Sequence, residues 1–117
     1  MTLNRLPNRR PCVTHALRVG GIKMYLHEDL YSYGLPGAVT IDTAKAGSML
    51  RGFLDATTWD WSESLQRGEP LSSIVRRHKG HTFEPNGEVQ YYDGIDSCTS
   101  LTDLLARVLE AEHPGAP

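Results

Sequence analysis

The longest hydrophobic pattern in the chain predicts a helix over residues 48–67. Its apolar positions recur at the spacing of one face of an α-helix; they are Leu50, Phe53, Leu54, Thr57, Trp61 and Leu65. Trp59 falls on the opposite face, so this helix is apolar on two sides. Such a helix is usually sandwiched, and its second partner is either the sheet of this chain or another copy of the chain.

Alternating apolar and polar residues predict strands ahead of this helix. The alternation runs from Thr14 to Val19 and again from Ile22 to His27, the period of half-buried strands. Gly20-Gly21 between them suits a tight hairpin turn. A third run, Ala38 to Thr43, completes an antiparallel meander of about three strands, which needs a helix across its apolar face.

Two shorter helices complete the predicted α+β fold, in which the meander is packed by a long, a short and a C-terminal helix. The short helix starts at Pro70, and its buried side carries Leu71, Ile74, Val75 and His78. The last helix opens between Asp96 and Ser100, and its apolar stripe consists of Leu101, Leu104, Leu105, Val108 and Leu109.

We expect a single domain over residues 1–117, because this length supports one hydrophobic core but not two. Prolines favour an extended course for residues 1–12. This basic arm is either solvated or folds Arg9 or Arg10 over a neighbouring subunit or an anionic ligand. Residues 113–117 are expected to fray.

Composition narrows the functional classes. A net charge of −2 argues against a general affinity for duplex nucleic acid or for an anionic membrane. No apolar run is long enough to span a bilayer, and the polar, basic start does not read as a secretory signal. We therefore expect a cytoplasmic protein. If the gene is viral, the compartment is the cytoplasm of the bacterial host.

No recognised catalytic or metal-binding motif occurs in the sequence. Cys12 and Cys98 are isolated and are expected to be plain thiols. His78 and His81 lack further clustered ligands, so hydrogen-bonding histidines are expected rather than a metal site. Neither Gly-x-Ser-x-Gly nor His-Glu-x-x-His is present. We expect a binding protein without cofactor rather than an enzyme.

The best ligand-binding pattern is the loop from Phe83 to Gly87 together with Tyr91 and Tyr92. Aromatic side chains stack on planar bases, and the amide of Asn86 can read both donor and acceptor groups. The alternative is that Phe83 and the two tyrosines only pin the loop to the core.

Basic residues supply candidate phosphate ligands near this loop. Arg76, Arg77 and Arg107 are candidates because guanidinium groups bind phosphate oxygens. Asp103 and Arg107 are four residues apart on the predicted last helix, so they are equally placed to pair with each other.

A second candidate phosphate site lies where the long helix begins. Free backbone N–H groups at a helix N-terminus attract anions, and Ser48 and Arg51 are placed to assist them. The alternative is that Ser48 serves only as the helix N-cap.

Several short motifs, taken together, resemble one known family. In chain order they are Arg5–Pro11, Val19–Gly21, Leu30-Tyr31 with Pro36-Gly37, Lys45–Ser48, Ser64–Gly68 with Pro70-Leu71, and Phe83–Gly87. The series resembles the TSCPD domain, which is found near the C-terminus of adenosylcobalamin-dependent ribonucleotide reductases and in small free-standing proteins. The reductase's cysteine-rich tail and catalytic barrel have no counterpart here, and Ala38 replaces a usual acidic residue.

In its free-standing form the chain also resembles the first family of Thoeris anti-defence proteins. These phage-encoded sponges are homo-oligomers, for which a hexamer is one option, and they sequester cyclic ADP-ribose isomers and cyclic oligonucleotides without cleaving them. This resemblance implies that Phe83 stacks on a base, that Asn86 and Asp103 hydrogen-bond base or ribose, and that Arg107 holds a phosphate.

Three functions therefore compete. The first is a sponge that binds cyclic nucleotide immune signals, including cyclic di- and trinucleotides, and leaves them intact. The second is a non-catalytic accessory or interaction domain related to ribonucleotide reductase. The third is a small hydrolase of cyclic nucleotides, which the lack of a catalytic motif disfavours.

Overall fold

The computed structural model describes residues 4–43 and 48–117. They form one five-stranded antiparallel sheet, of strand order β3-β2-β1-β4-β5, and three helices. In chain order the elements are β1 (Cys12–Val19), β2 (Ile22–Leu30), β3 (Pro36–Asp42), α1 (Ser48–Gln66), α2 (Leu71–His78), β4 (Gly87–Gln90), β5 (Ser97–Cys98) and α3 (Leu101–Glu112). The α+β prediction is confirmed. No helix in these two segments is long and apolar enough to cross a membrane.

Strands β1 and β2 form the predicted hairpin. Its register pairs Val19 with Ile22 and Arg18 with Lys23. The turn residues Gly20 and Gly21 have φ angles of 57° and 77°, a left-handed conformation that glycine adopts without a steric penalty. The alternation along both strands places one set of apolar residues in the core: Leu17, Val19, Met24 and Leu26.

The sheet is larger than the predicted meander. Strand β4 adds to the free edge of β1, where Val89 pairs with Val19, and the two-residue β5 adds to β4. Of the four residues in β4 only Val89 is buried. A single buried residue leaves no alternation to detect, which is why the sequence pattern did not predict this strand.

Helix α3 is the element enclosed on all sides. From Leu101 to Leu109 every residue except Arg107 is buried. Within this chain, α3 rather than the long helix α1 is the helix that is enclosed. Its N-cap is Ser100, whose side-chain oxygen accepts a hydrogen bond from the Asp103 N–H.

Helix α1 lies along β3, the edge strand of the sheet. The Val39 N–H donates to Ser62 Oγ at 2.9 Å, and Gln66 Nε2 donates to the Gly37 carbonyl at 3.0 Å. These bonds satisfy backbone groups that an edge strand would otherwise leave open to pairing with another chain.

The second apolar face of α1 has no partner in this chain's sheet. Trp59 is 74% exposed, whereas Trp61 on the inner face is 1% exposed. Phe53, which we placed in the buried stripe, is 42% exposed. That another copy of the chain packs on this outer face therefore stays a prediction.

Both terminal segments of the described residues, from Asn4 onwards and up to Pro117, lie against the fold. The Asn4 N–H donates to the Gln66 carbonyl, and Arg10 Nε donates to Asp29 at 2.9 Å, so this arginine of the basic arm contacts its own β2. At the other end, where we expected fraying, the Pro117 carbonyl accepts a hydrogen bond from the Ser72 N–H at the start of α2.

Substituting the two tryptophans of α1 should separate its two faces. Trp61→Ala should lower the free energy of unfolding by about 3–5 kcal/mol, because it leaves a cavity in the core. Trp59→Ala should change it by less than about 0.5 kcal/mol in the monomer. Urea unfolding followed by circular dichroism measures both. Equal losses in dilute protein would contradict this assignment of faces.

Candidate functional site

A groove of about 810 Å³ opens between the start of α1, the β1–β2 turn and the loop over residues 83–86. We call it the aromatic groove; its lining residues are Gly20, Met49, Leu50, Phe53, Phe83, Glu84, Pro85 and Asn86. Apolar side chains from α1 form one wall, and the loop forms the other. The structure thus places two of the predicted ligand residues, Phe83 and Asn86, at one cavity.

Phe83 makes contacts that fit both roles that the sequence left open, which are pinning the loop to the core and stacking on a base. Its N–H donates to the Thr99 carbonyl at 3.0 Å, which ties the loop to the segment before α3. Its ring packs edge-to-face against Phe53, with 5.7 Å between ring centroids. The side chain is half-buried and still lines the groove, so this packing leaves ring surface for a ligand.

Asn86 is exposed, and its Nδ2 donates to the Phe83 carbonyl at 3.3 Å. The loop sits close to the β1–β2 turn: a Cβ atom added at Gly20 would lie 3.2 Å from Pro85 Cβ. The absence of a side chain at Gly20 therefore lets the loop and the hairpin approach each other and form this end of the groove.

Asp103 and Arg107 lie beneath the loop. The carboxylate of Asp103 accepts hydrogen bonds from the Gly80 N–H at 2.8 Å and the Thr99 N–H at 3.1 Å. Arg107 Nη1 donates to the Ser97 carbonyl at 2.7 Å and lies 3.5 Å from Asp103. The two residues pair as the sequence allowed, and their contact with a ligand stays a prediction.

The environment of Asp103 keeps it ionised. Burial alone would raise the pKa of this carboxyl, but the two backbone N–H groups and the Arg107 guanidinium outweigh burial and lower the pKa below its usual value. A charged Asp103 holds together the segments before and after the loop, and it thereby positions Phe83.

The remaining arginine candidates occupy other places. Arg77 pairs with Glu69, an interaction that lowers the pKa of the Glu69 carboxyl. Arg76 lines a different groove, between α2 and the C-terminal tail. Residues 44–47 and the side chain of Ser48 lie outside what the structure describes. Arg51 Nη2 donates to the Thr43 carbonyl at 2.9 Å.

A second cavity of about 650 Å³ lies on the other side of the β1–β2 turn and contains three cationic side chains. We call it the basic cavity; its lining residues are Arg18, Gly21, Ile22, Lys23, Tyr25, Asp42 and Arg51. A smaller cavity of about 300 Å³ lies next to both: it shares Gly20 and Asn86 with the aromatic groove and Arg18 and Gly21 with the basic cavity, and it is also lined by Glu88.

Sequence reasoning missed Arg18 and Lys23, although a signal was present. A two-residue turn fixes the register so that these two residues stand directly opposite each other. Like charges in that position repel and destabilise the strand pair. Lys23 also lies 5.3 Å and 5.5 Å from the ring centroids of Tyr25 and Tyr91. An anion bound between the two side chains would relieve this repulsion.

His78 is a hydrogen-bonding histidine, as predicted. Its Nε2 accepts a hydrogen bond from Trp61 Nε1 at 3.1 Å. Its ring packs edge-to-face against the ring of His81, with 5.7 Å between the ring centroids. Burial first, then Arg77 and His81, lowers the pKa of His78 below its usual value. The folded protein therefore favours the neutral imidazole, whose Nε2 lone pair accepts the Trp61 bond.

Substituting Asp103 should loosen the loop. Asp103→Ala should lower the free energy of unfolding by about 2–4 kcal/mol, because two backbone N–H groups lose their acceptor. Asp103→Asn, which keeps one oxygen acceptor, should lose less. Chemical denaturation measures this, with the exposed Asp93→Ala as the control. A loss from Asp103→Ala no larger than that of the control would contradict the role assigned to this carboxylate.

His78 should make stability depend on pH. Because its pKa is lower in the folded state, the unfolded chain binds more protons as the pH falls below about 6.5. Stability should therefore be full above that pH and fall below it. The His78→Gln variant has no titratable group at this position. Its melting temperature should therefore fall less between pH 7.5 and pH 5.5 than that of wild type. A wild-type slope in His78→Gln would contradict this.

The structure is a small α+β domain with two neighbouring surface cavities. A sequence profile of the TSCPD domain matches residues 1–113, so the chain belongs to the TSCPD domain family. The predicted resemblance to this domain is confirmed. No solved structure matches the chain significantly.

The similar curated proteins carry the name vitamin B12-dependent ribonucleotide reductase. The protein from Agrobacterium fabrum is 36% identical over 111 residues, which cover 95% of this chain and 9% of that protein. The protein from Rhodopirellula baltica is 37% identical over 105 residues, or 90% of this chain and 10% of that protein. The chain therefore spans about a tenth of the length of these relatives.

Proposed function

We propose that this chain is a non-catalytic accessory domain related to ribonucleotide reductase that binds a nucleotide across the aromatic groove and the basic cavity. The observation that carries the proposal is that the two cavities lie next to each other at the Gly20-Gly21 turn, with Gly20 lining the one and Gly21 the other. One end offers aromatic surface and the other offers positive charge, as a base and a phosphate require. The relatives' name, which refers to ribonucleotides, supports the same class of ligand.

The aromatic groove suits the base. A base inserted between α1 and the loop would stack on Phe83, whose ring Phe53 holds from the side. The exposed amide of Asn86 offers one carbonyl acceptor and a donor to the edge of the base. Met49 and Leu50 provide apolar contact around the ring.

The basic cavity suits the phosphate. Among the residues that the structure describes, Arg18, Lys23 and Arg51 pair with no carboxylate. A hydrogen bond with Tyr25 raises the pKa of Lys23, so this side chain is a cation at neutral pH. A bound phosphate would offset the repulsion between Arg18 and Lys23. Arg51, a phosphate candidate from the sequence, would approach the same anion from α1.

The finer proposal concerns the ligand and the outcome of binding. We propose cyclic nucleotides, which include cyclic ADP-ribose isomers and cyclic di- and trinucleotides, as ligands that are held and released intact. The resemblance to Thoeris anti-defence sponges supports this choice. The exposed Trp59 on the outer face of α1 supports the further proposal that the protein acts as a homo-oligomer.

A second candidate is a docking function without a small ligand. The similarity to one region of a large reductase favours it, since such a region can serve contacts within or between chains. On this alternative the aromatic groove would take a protein side chain, and no nucleotide would bind.

Isothermal titration with cyclic ADP-ribose, cyclic di- and trinucleotides and ordinary nucleoside triphosphates tests the proposal. Phe83→Leu should weaken binding about 5- to 150-fold, because a stacked base contributes about 1–3 kcal/mol. Arg51→Met should also weaken binding, and more strongly at low salt.

Matched controls keep the result specific. Tyr33→Leu removes an exposed aromatic ring that stacks on Tyr31, and Arg67→Met removes an exposed arginine paired with Glu63. Both should bind as wild type does. If no nucleotide binds to wild type, or if the controls weaken binding as much as Phe83→Leu does, the nucleotide proposal is wrong and docking becomes the better account.

A further inference from the structure

A cluster of histidine and carboxylate side chains joins β1, β2 and the C-terminal end of α3. His15 Nε2, one carboxylate oxygen of Glu28 and one of Glu112 all lie within 4.8 Å of one another. The aromatic groove is at the other end of α3, where Thr99 holds the loop. The cluster is therefore separate from the proposed nucleotide site, and neither site depends on the other.

We propose that His15, Glu28 and Glu112 bind one divalent transition-metal ion, with Zn²⁺ as the best match. One imidazole nitrogen and two carboxylate oxygens are a ligand set that Zn²⁺ accepts, with a water molecule as the fourth ligand. Ligand atoms around tetrahedral Zn²⁺ lie about 3.3 Å apart, given bonds of about 2.0–2.1 Å. His15 Nε2 lies 2.5 Å from Glu28 Oε2, in a hydrogen bond, and 3.9 Å from Glu112 Oε1, so a bound ion would replace that hydrogen bond with two metal–ligand bonds.

Each carboxylate in this set is oriented by a second hydrogen bond. Glu28 Oε1 lies 2.6 Å from His113 Nε2, and the Tyr92 hydroxyl donates to Glu112 Oε2 at 2.5 Å. These hydrogen bonds hold Glu28 Oε1 and Glu112 Oε2. The other oxygen of each carboxylate, Glu28 Oε2 and Glu112 Oε1, lies on the side of His15. Partners of this kind fix the direction of metal ligands and are a regular feature of protein metal sites.

Burial and charge favour the ion. Glu28 is 1% exposed, and a buried carboxylate is costly unless a compensating charge lies next to it. A divalent cation bound between Glu28 and Glu112 would place positive charge next to both carboxylates. Glu112 has 36% of its side chain exposed, so a route from solvent to the ligands is open.

Binding of Zn²⁺ to chelator-treated protein tests this proposal. Isothermal titration should give one Zn²⁺ per chain, and one equivalent should raise the melting temperature. Co²⁺, used as a coloured substitute, should give visible absorption bands on binding. Glu112→Gln, at the exposed end of α3, should weaken Zn²⁺ binding at least tenfold without unfolding the protein, and His15→Gln should do the same.

His27→Ala is the matched control, because this histidine lies on the same strand as Glu28 and contacts Asp42 at 3.3 Å in a more exposed pair. It should leave the stoichiometry and the affinity unchanged. Absence of stoichiometric Zn²⁺ binding to wild type would overturn the proposal and leave a hydrogen-bonded cluster. So would equal loss of affinity in His27→Ala, or wild-type affinity in either Glu112→Gln or His15→Gln.

Discussion

The burial of α3 is the constraint on which the rest of this structure depends. An apolar helix enclosed over almost its whole length needs partners on every side. The core residues of β1 and β2 belong to the same apolar cluster, and α2 packs on α3 directly. With α3 in the centre, α1 lies at the edge strand β3, and its outer face stays open.

The two ends of α3 then position the two candidate sites. At its start, Ser100 caps the helix and Asp103 binds the Gly80 and Thr99 N–H groups, so the loop that carries Phe83 is held from below. At its end, Glu112 and His113 reach Glu28 on β2 and His15 on β1. Substitutions that shift α3 should therefore affect both sites, whereas surface substitutions at either site should affect one.

Local periodicity predicted the elements that bury a regular stripe or an alternating face. The hairpin, α1 and α3 were found because their apolar residues repeat over many positions. Strand β4 was not, because Val89 alone is buried in it. Which helix is central could not be read from the stripes either, since Trp59 made α1 look apolar on both faces while it is 74% exposed in the fold.

Candidate sites were predictable only where their residues share a short segment. Phe83 and Asn86 could be proposed together because the loop is contiguous, and Arg51 because it follows a helix start, whereas Arg18 and Lys23 required the hairpin register and their proximity to Arg51 required the fold. The His–Glu cluster was out of reach, because 85 residues separate Glu28 from His113 in the sequence. No spacing rule connects residues that only the tertiary fold brings together.

The central claim is that this domain binds a nucleotide and does not alter it. The most direct measurement is to mix the purified protein with a panel of cyclic and linear nucleotides, remove the protein by filtration, and analyse the filtrate before and after the protein fraction is heated. The account predicts that one class of nucleotide disappears from the filtrate and returns intact on heating. Recovery of a cleaved product, or no depletion of any nucleotide, would contradict it.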